Sequence, residues 1–218
     1  MCAMTTLQAH RFTCPLCGNM FESQLITSTN SMGRFHSDFY REAAGTQPVC
    51  FFAHTCTNCG YSGFDGEFQP ENFSTEFRQL VSNNITPEIK SRKIDPNGNY
   101  FLVALCAEWR GATPQSLARI YHMGAWCSRM RGETDKERFY LEKAADNFEK
   151  ALAKNEPSGQ NRALFVYLIG DIYRRLGDKA KANEWYSKVE PILKQYGGDS
   201  KILEYARRQM TDPVDIFS

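Results

Sequence analysis

The chain has no run of eighteen consecutive apolar residues, so no segment is expected to cross a bilayer as a helix. Its start, MCAMTTLQAHRF, lacks the basic stretch and apolar run of a secretory leader, and it lacks the Arg-rich amphipathic pattern of an organelle-import peptide. An excess of charge of one sign is also missing. Lys+Arg total 26 against Asp+Glu 25, so no global field draws the chain to nucleic acid or to an anionic membrane. Absent too are G-x-S-x-G, a phosphate-cradling glycine loop, H-E-x-x-H and a dinucleotide fingerprint, and the four histidines stand apart from one another. These absences predict a soluble, cytoplasmic protein that is not an enzyme. In a reducing cytosol the eight cysteines are not expected to form four disulfides; paired spacings there point to metal or redox chemistry.

Such pairs are present. CPLCG (14–18) returns in near-copy as CTNCG (56–60). A C-x-x-C pair bends the backbone so that two thiolates face one ion, and a glycine just after it permits the tight turn. Two such knuckles supply the four soft ligands that tetrahedral Zn(II) accepts, so Cys14, Cys17, Cys56 and Cys59 are the expected metal set. The 38 residues between the pairs (18–55) exceed the fifteen to twenty or so of a compact zinc ribbon. Doubling a loop adds only about 0.6 kcal/mol of closure entropy, whereas a structural zinc site contributes roughly 10–16 kcal/mol, so the metal outweighs the loop. The insertion is expected to fold over the site. Four thiolates close the coordination shell and quench Lewis acidity, which predicts a structural and not a catalytic ion. A redox pair would want a low-pKa thiolate at a helix N-terminus, which knuckles between strands do not offer. Cys50, His54 and His36 are weaker candidate ligands, because none belongs to a knuckle. Cys106 and Cys127 sit among apolar neighbours and read as small hydrophobes; Cys2 reads as a terminal residue without a role.

At 218 residues and 42% hydrophobic, the chain can bury a core in one or two domains. Residues 9–64 alternate β-prone pieces (HRFTC, MFESQLITS, VCFFAHTC) with turns at Asn30, Gly33 and Gly45. From about Glu71 the period becomes helical, with start signals at Ser74, Thr86-Pro87 and Thr113-Pro114. The expected fold class is therefore α+β: a β-rich, zinc-ribbon-like part (1–70) with a long insertion, connecting helices (71–112), and an all-α body (113–218).

Within that body MGAWCSRM (123–130) matches IGDIYRRL (169–176), and KAADNFEKA (143–151) matches KANEWYSKV (181–189). Small residues at Gly124, Gly170, Ala144 and Ala182 fall where two helices must approach closely, with Phe148 and Tyr186 filling the next layer. This resembles the tetratricopeptide repeat. The second copy fits best; the first has Cys127 where an aromatic is usual and eight extra residues between its helices. Such arrays need about three units to bury each other's apolar faces, so helices before the repeats (100–109) and a capping helix (200–210) are expected to complete one continuous body.

The order CPLCG, SDFY (37–40), CTNCGYSGF (56–64), RIYHMGAWCSR (119–129) and LFVYLIGDIYRRLGD (164–178) resembles the prokaryotic domain-of-unknown-function 2225 family over most of the chain. The resemblance implies the same four metal cysteines and the repeat-like helices, and no reaction. CTNC lacks the proline often seen in that family's second knuckle.

Three functional classes remain to be weighed. The first is a scaffold in which the inner repeat helices present a concave surface to an unidentified protein or peptide segment, lined by Tyr121, Arg129, Tyr167, Asp171 and Arg174. Tyr121, Ala125, Tyr167 and Asp171 occupy the places where a carboxylate-clamp repeat carries basic residues, so capture of a free C-terminus is not expected. The alternative is a nucleic-acid-binding zinc-ribbon regulator. Residues 1–70 hold three arginines against five carboxylates, a net of −2, which is the wrong sign for phosphate; basic groups downstream (KSRK at 90–93; Arg129, Arg131, Arg174, Arg175) read as a solvated face. An enzyme is the third class and the least supported, since acidic residues at 133–142 alternate with Lys136 and Arg138 as ordinary helix-surface pairs.

Overall fold

The computed structural model describes residues 4–92 and 99–217; Cys2, and Lys93 of the basic run, lie outside the described residues. The chain is α+β, with short antiparallel strand pairs first and helices after. β1 (Thr6–Thr13) pairs with β2 (Met20–Ser28), and β4 (His54–Thr55) pairs with β5 (Ser62–Gly63). The pair Thr13↔Met20 closes the first hairpin around Cys14 and Cys17, and Thr55↔Ser62 closes the second around Cys56 and Cys59 at the same offsets. Each cysteine knuckle is thus the tip of a β-hairpin. Below the knuckles lies an aromatic core in which Phe12 meets Phe21 at 5.7 Å and Phe68 at 5.1 Å. Helix α1 (Thr75–Asn84) and helix α2 (Thr86–Lys90) cover it with Phe77, Val81, Ile85 and Ile89.

The three expected helix starts are present, and two are capped by their side chains. Ser74 Oγ accepts from Phe77 N at 3.1 Å, and Thr113 Oγ1 accepts from Ser116 N at 3.3 Å, satisfying donors that a helix leaves unpaired. Thr86 differs. Its hydroxyl donates to the Cys59 carbonyl at 2.7 Å, tying α2 to the second knuckle instead of capping it. Helix α3 (Tyr100–Trp109) stands between two cores, giving Leu102 and Cys106 to the metal-side cluster and Tyr100, Val103 and Ala104 to the helical one.

The helical part consists of hairpins α4 (Pro114–Met130) with α5 (Thr134–Ala153) and α6 (Arg162–Arg175) with α7 (Lys179–Ser187), followed by α8 (Val189–Tyr196) and α9 (Lys201–Thr211). A side chain at Gly170 would place Cβ 2.7 Å from Tyr186, and one at Gly124 would place it 2.8 Å from Tyr140. The aromatic partner lies sixteen residues beyond the glycine in both hairpins. The first repeat is therefore in register with Tyr140, not Phe148, and its eight extra residues extend α5 beyond that contact instead of separating the helices. Phe148 packs one layer on, against Phe165 at 4.7 Å.

The insertion does not fold over the metal site as expected. Only its two ends, Asn19 with β2 and the strand β4, stay beside it. The rest crosses to the helices, where β3 (Phe35–His36) pairs with β6 (Ile216–Phe217) near the C-terminus. SDFY, which follows β3, packs against α4 and α6. Phe39, at φ 66°, turns the backbone so that its ring meets Tyr167 at 5.3 Å while Asp38 and Ser37 are fully buried. Arg129 Nη2 donates to Asp38 Oδ2 at 2.6 Å, and Arg175 Nε stands 3.6 Å from the same oxygen. Ser37 Oγ donates to Asp171 Oδ2 at 2.8 Å and accepts from Arg174 and Arg175.

The five residues expected to line an open groove are consequently occupied from within. Tyr167 donates to the Ser37 carbonyl at 2.9 Å, Arg174 pairs with Asp171 at 2.9 Å and with Asp215 at 2.9 Å, and Tyr121 packs in the helical core. That docking surface needs correction: buried charges need partners, and the chain supplies its own through SDFY.

Burial alone would raise the Asp38 pKa, but Arg175, His122 and Arg129 outweigh it and hold the carboxyl well below its usual range. Because the folded value is depressed, this carboxylate's contribution to stability is complete above the unfolded value near pH ~4 and is lost as pH falls through the folded one. Asp38→Ala strands buried arginine charge and should cost about 3–5 kcal/mol in urea unfolding at pH 7. A loss below about 1 kcal/mol, the range of an exposed pair, would show that the contact is not structural.

Candidate metal centre

The two knuckles are built by the same hydrogen bonds. Cys14 N donates to Asn19 O at 2.9 Å and Gly18 N to Cys14 O at 2.8 Å; Cys56 N donates to Tyr61 O at 2.8 Å and Gly60 N to Cys56 O at 2.8 Å. Gly18 and Gly60 take φ values of 73° and 82°, which a residue with a Cβ rarely adopts. At Gly60 a Cβ would also lie 2.4 Å from Ile85, so this glycine sets how closely α2 approaches the turn.

The hairpin tips face each other, and the four sulfurs lie within 4.8 Å of one another. Cys14 Sγ is 3.6 Å from Cys59 Sγ, and Cys17 Sγ is 3.7 Å from Cys56 Sγ. A tetrahedron with metal–sulfur bonds of 2.3 Å has edges of about 3.8 Å, whereas a disulfide needs about 2.0 Å. The spacing fits an ion and not a cross-link. Donors surround the sulfurs: Tyr61 N reaches Cys59 Sγ at 3.5 Å, Asn58 Nδ2 reaches Cys17 Sγ at 3.6 Å, and Asn19 Nδ2 stands 3.9 Å from Cys56 Sγ. Each asparagine serves a sulfur of the opposite knuckle, a secondary contact of the kind that orients metal ligands.

The electrostatics point the same way. Contact with Cys56 and burial push the Cys14 thiol up, contact with Cys14 and Cys56 pushes Cys59 up further, and Cys56 falls because its two neighbours donate to it. Sulfurs this close cannot all ionise alone; a cation in their midst resolves the conflict. Cys14, Cys56 and Cys59 are buried, and Cys17 is the exposed member.

The weaker candidates are engaged elsewhere. His54 Nδ1 pairs with Ser23 Oγ at 2.8 Å, His36 Nε2 with Glu42 at 2.7 Å, and Cys50 Sγ lies 3.7 Å from the Cys127 carbonyl. Cys106 is buried beneath the second hairpin, where it accepts from Ser62 N at 3.4 Å and burial raises its pKa to about 12. Among the described residues, the four knuckle cysteines are the one metal-capable cluster of three or more such side chains. Sequence reasoning placed Arg175 on a solvated face and gave Ser37 and Asp38 no role beyond the SDFY word, whereas Arg175 pairs with Asp171 and both SDFY residues are buried.

These features define an α+β protein in which two β-hairpin tips bring together four cysteines that could hold a metal ion, beside a body of helical hairpins. The chain belongs to the family described as an uncharacterized protein conserved in bacteria (DUF2225), whose model matches residues 7–212. No curated protein and no solved structure matches it.

Cys56→Ser and Cys17→Ser should each abolish stoichiometric metal in elemental analysis of the purified chain. Retention of one ion per chain in both variants would remove these residues from the centre.

Proposed function

We propose that the ion is zinc, that it acts as a structural clasp, and that the protein works in the cytoplasm by binding another protein and not by catalysis. The observation that supports the clasp is the donor set itself. Four sulfurs at tetrahedral spacing, three of them buried, fill every place zinc offers and leave none for substrate. No helix among the described residues is long and apolar enough to cross a membrane.

The filled SDFY groove moves the binding surface elsewhere on the helical side. A cleft of about 600 Å³ opens between residues 64–77, the end of α3 and the start of α4, with Phe73, Trp109 and Arg110 on its walls. Aromatic and arginine side chains are the types that carry most energy in protein interfaces. Arg110 is already oriented by Glu67 at 2.9 Å and Glu71 at 3.0 Å, which leaves this wall with an excess of one negative charge and suits a polypeptide better than a phosphate backbone.

The test is affinity capture from native extract at two salt concentrations with Trp109→Ala, using Phe139→Ala on α5 as the control and circular dichroism to verify folding. A protein retained by the parent and by Phe139→Ala but lost with Trp109→Ala is the expected result. Equal retention by Trp109→Ala would contradict the cleft, and nuclease-sensitive capture that fails at high salt would favour the nucleic-acid alternative.

A further inference from the structure

The four knuckle sulfurs are not equivalent towards an oxidant in solution. Cys17 is exposed, whereas Cys14, Cys56 and Cys59 keep only 1%, 0% and 8% of their surfaces. Two close sulfur pairs join one hairpin tip to the other: Cys17 with Cys56 at 3.7 Å, and Cys14 with Cys59 at 3.6 Å. Their surroundings differ. Asn58 Nδ2 donates to Cys17 Sγ at 3.6 Å and Asn19 Nδ2 to Cys56 Sγ at 3.9 Å, and Asn58 is itself exposed, so the first pair has a polar, open side. Both sulfurs of the second pair belong to residues packed in the aromatic core. Arg78 of α1 donates through Nη1 to the Leu16 carbonyl at 2.7 Å, which fixes the turn that carries Cys17.

We propose that Cys17 is an oxidation site and that Cys56 resolves it, so that reaction with a hydroperoxide exchanges the shared ion for a disulfide between the two hairpin tips. This rests on the reading of the centre as a zinc clasp. A thiol that ligates zinc is held as the thiolate, the form that attacks peroxide, and of the four only Cys17 is exposed. Once oxidised, its sulfur stands 3.7 Å from that of Cys56, and a further approach of under ~2 Å closes the bond. The consequence differs from that of chelation. Withdrawal of the ion leaves the tips unlinked, whereas oxidation leaves them joined by a covalent bond that reduction reverses.

The chemistry balances with hydrogen peroxide as oxidant. The Cys17 thiolate attacks one peroxide oxygen, the O–O bond breaks and hydroxide departs, giving a sulfenic acid. The Cys56 thiolate then attacks the Cys17 sulfur, the S–S bond forms, and the sulfenic oxygen leaves as a second hydroxide. Two protons from solvent convert both hydroxides to water. The two sulfurs have lost two electrons, the peroxide has gained them, and the chain has given up two of its four metal donors.

The experiment measures metal content first and then adds hydrogen peroxide stepwise to the full, metal-loaded chain while a chromogenic chelator reports released metal. Free thiols are alkylated, and peptides are mapped without reduction, with fragmentation to assign the sulfurs. The expected result is one Cys17–Cys56 bond per ion released, with Cys14 and Cys59 alkylated. Cys17→His keeps a fourth ligand for zinc but no exposed sulfur, and should release metal several-fold more slowly than the parent. A Cys14–Cys17 bond, a sulfinic acid at Cys17 without the cross-link, or release from metal-loaded Cys17→His at the parent's rate would overturn this proposal and leave the clasp standing. A purified chain devoid of bound metal would overturn the clasp and this proposal with it.

Discussion

Four sulfurs held within reach of one another are a source of repulsion unless a cation lies among them, and the N-terminal architecture depends on that condition. The second hairpin is small: β4 and β5 contribute two residues apiece, too few to be stable as an isolated pair. An ion shared by both tips would join the hairpins, and Thr86 and Gly60 tie the second tip to the start of α2, one through a hydrogen bond to Cys59 and the other by close approach to Ile85. Were that ion a structural zinc, its contribution of about 10–16 kcal/mol would equal or exceed the whole stability of a typical domain.

A second tie runs the other way. The insertion leaves the metal side, places Ser37 and Asp38 among Arg129, Arg174 and Arg175, and pairs β3 with β6, so that the insertion and the last strand meet on the helical hairpins. An aromatic and charged segment of the same chain thus covers α4 and α6, with α3 and α9 packed on the hairpins beside it. A buried network of this kind adds less net stability than its bond count suggests, but it admits one arrangement of the segment and excludes others.

The knuckles, the change from β to helical period near residue 71, and the helix starts at Ser74 and Thr113 were legible in the sequence because each rests on local chemistry: a turn glycine, a capping hydroxyl, an apolar period. The four-cysteine set was legible because two copies of one short pattern meet a simple coordination requirement. What escaped was non-local. Nothing near Asp38 announces that Arg129 and Arg175 will hold it, and the open groove was expected because its lining was read without the segment that fills it. The pairing of Gly124 with Phe148 failed for a related reason: alignment by composition cannot tell a lengthened helix from a lengthened loop, whereas contact with Tyr140 can. Cys50 and Cys127, 77 residues apart, were likewise separable in sequence and adjacent in space.

The most direct measurement of the central claim is amide hydrogen exchange, peptide by peptide, on the metal-loaded chain and after the ion is withdrawn by a high-affinity chelator. Loss of protection across 6–28 and 54–63 with α4 to α7 still protected is the outcome that a metal-dependent pair of hairpins requires. Unchanged protection of those hairpins in metal-free protein would contradict it.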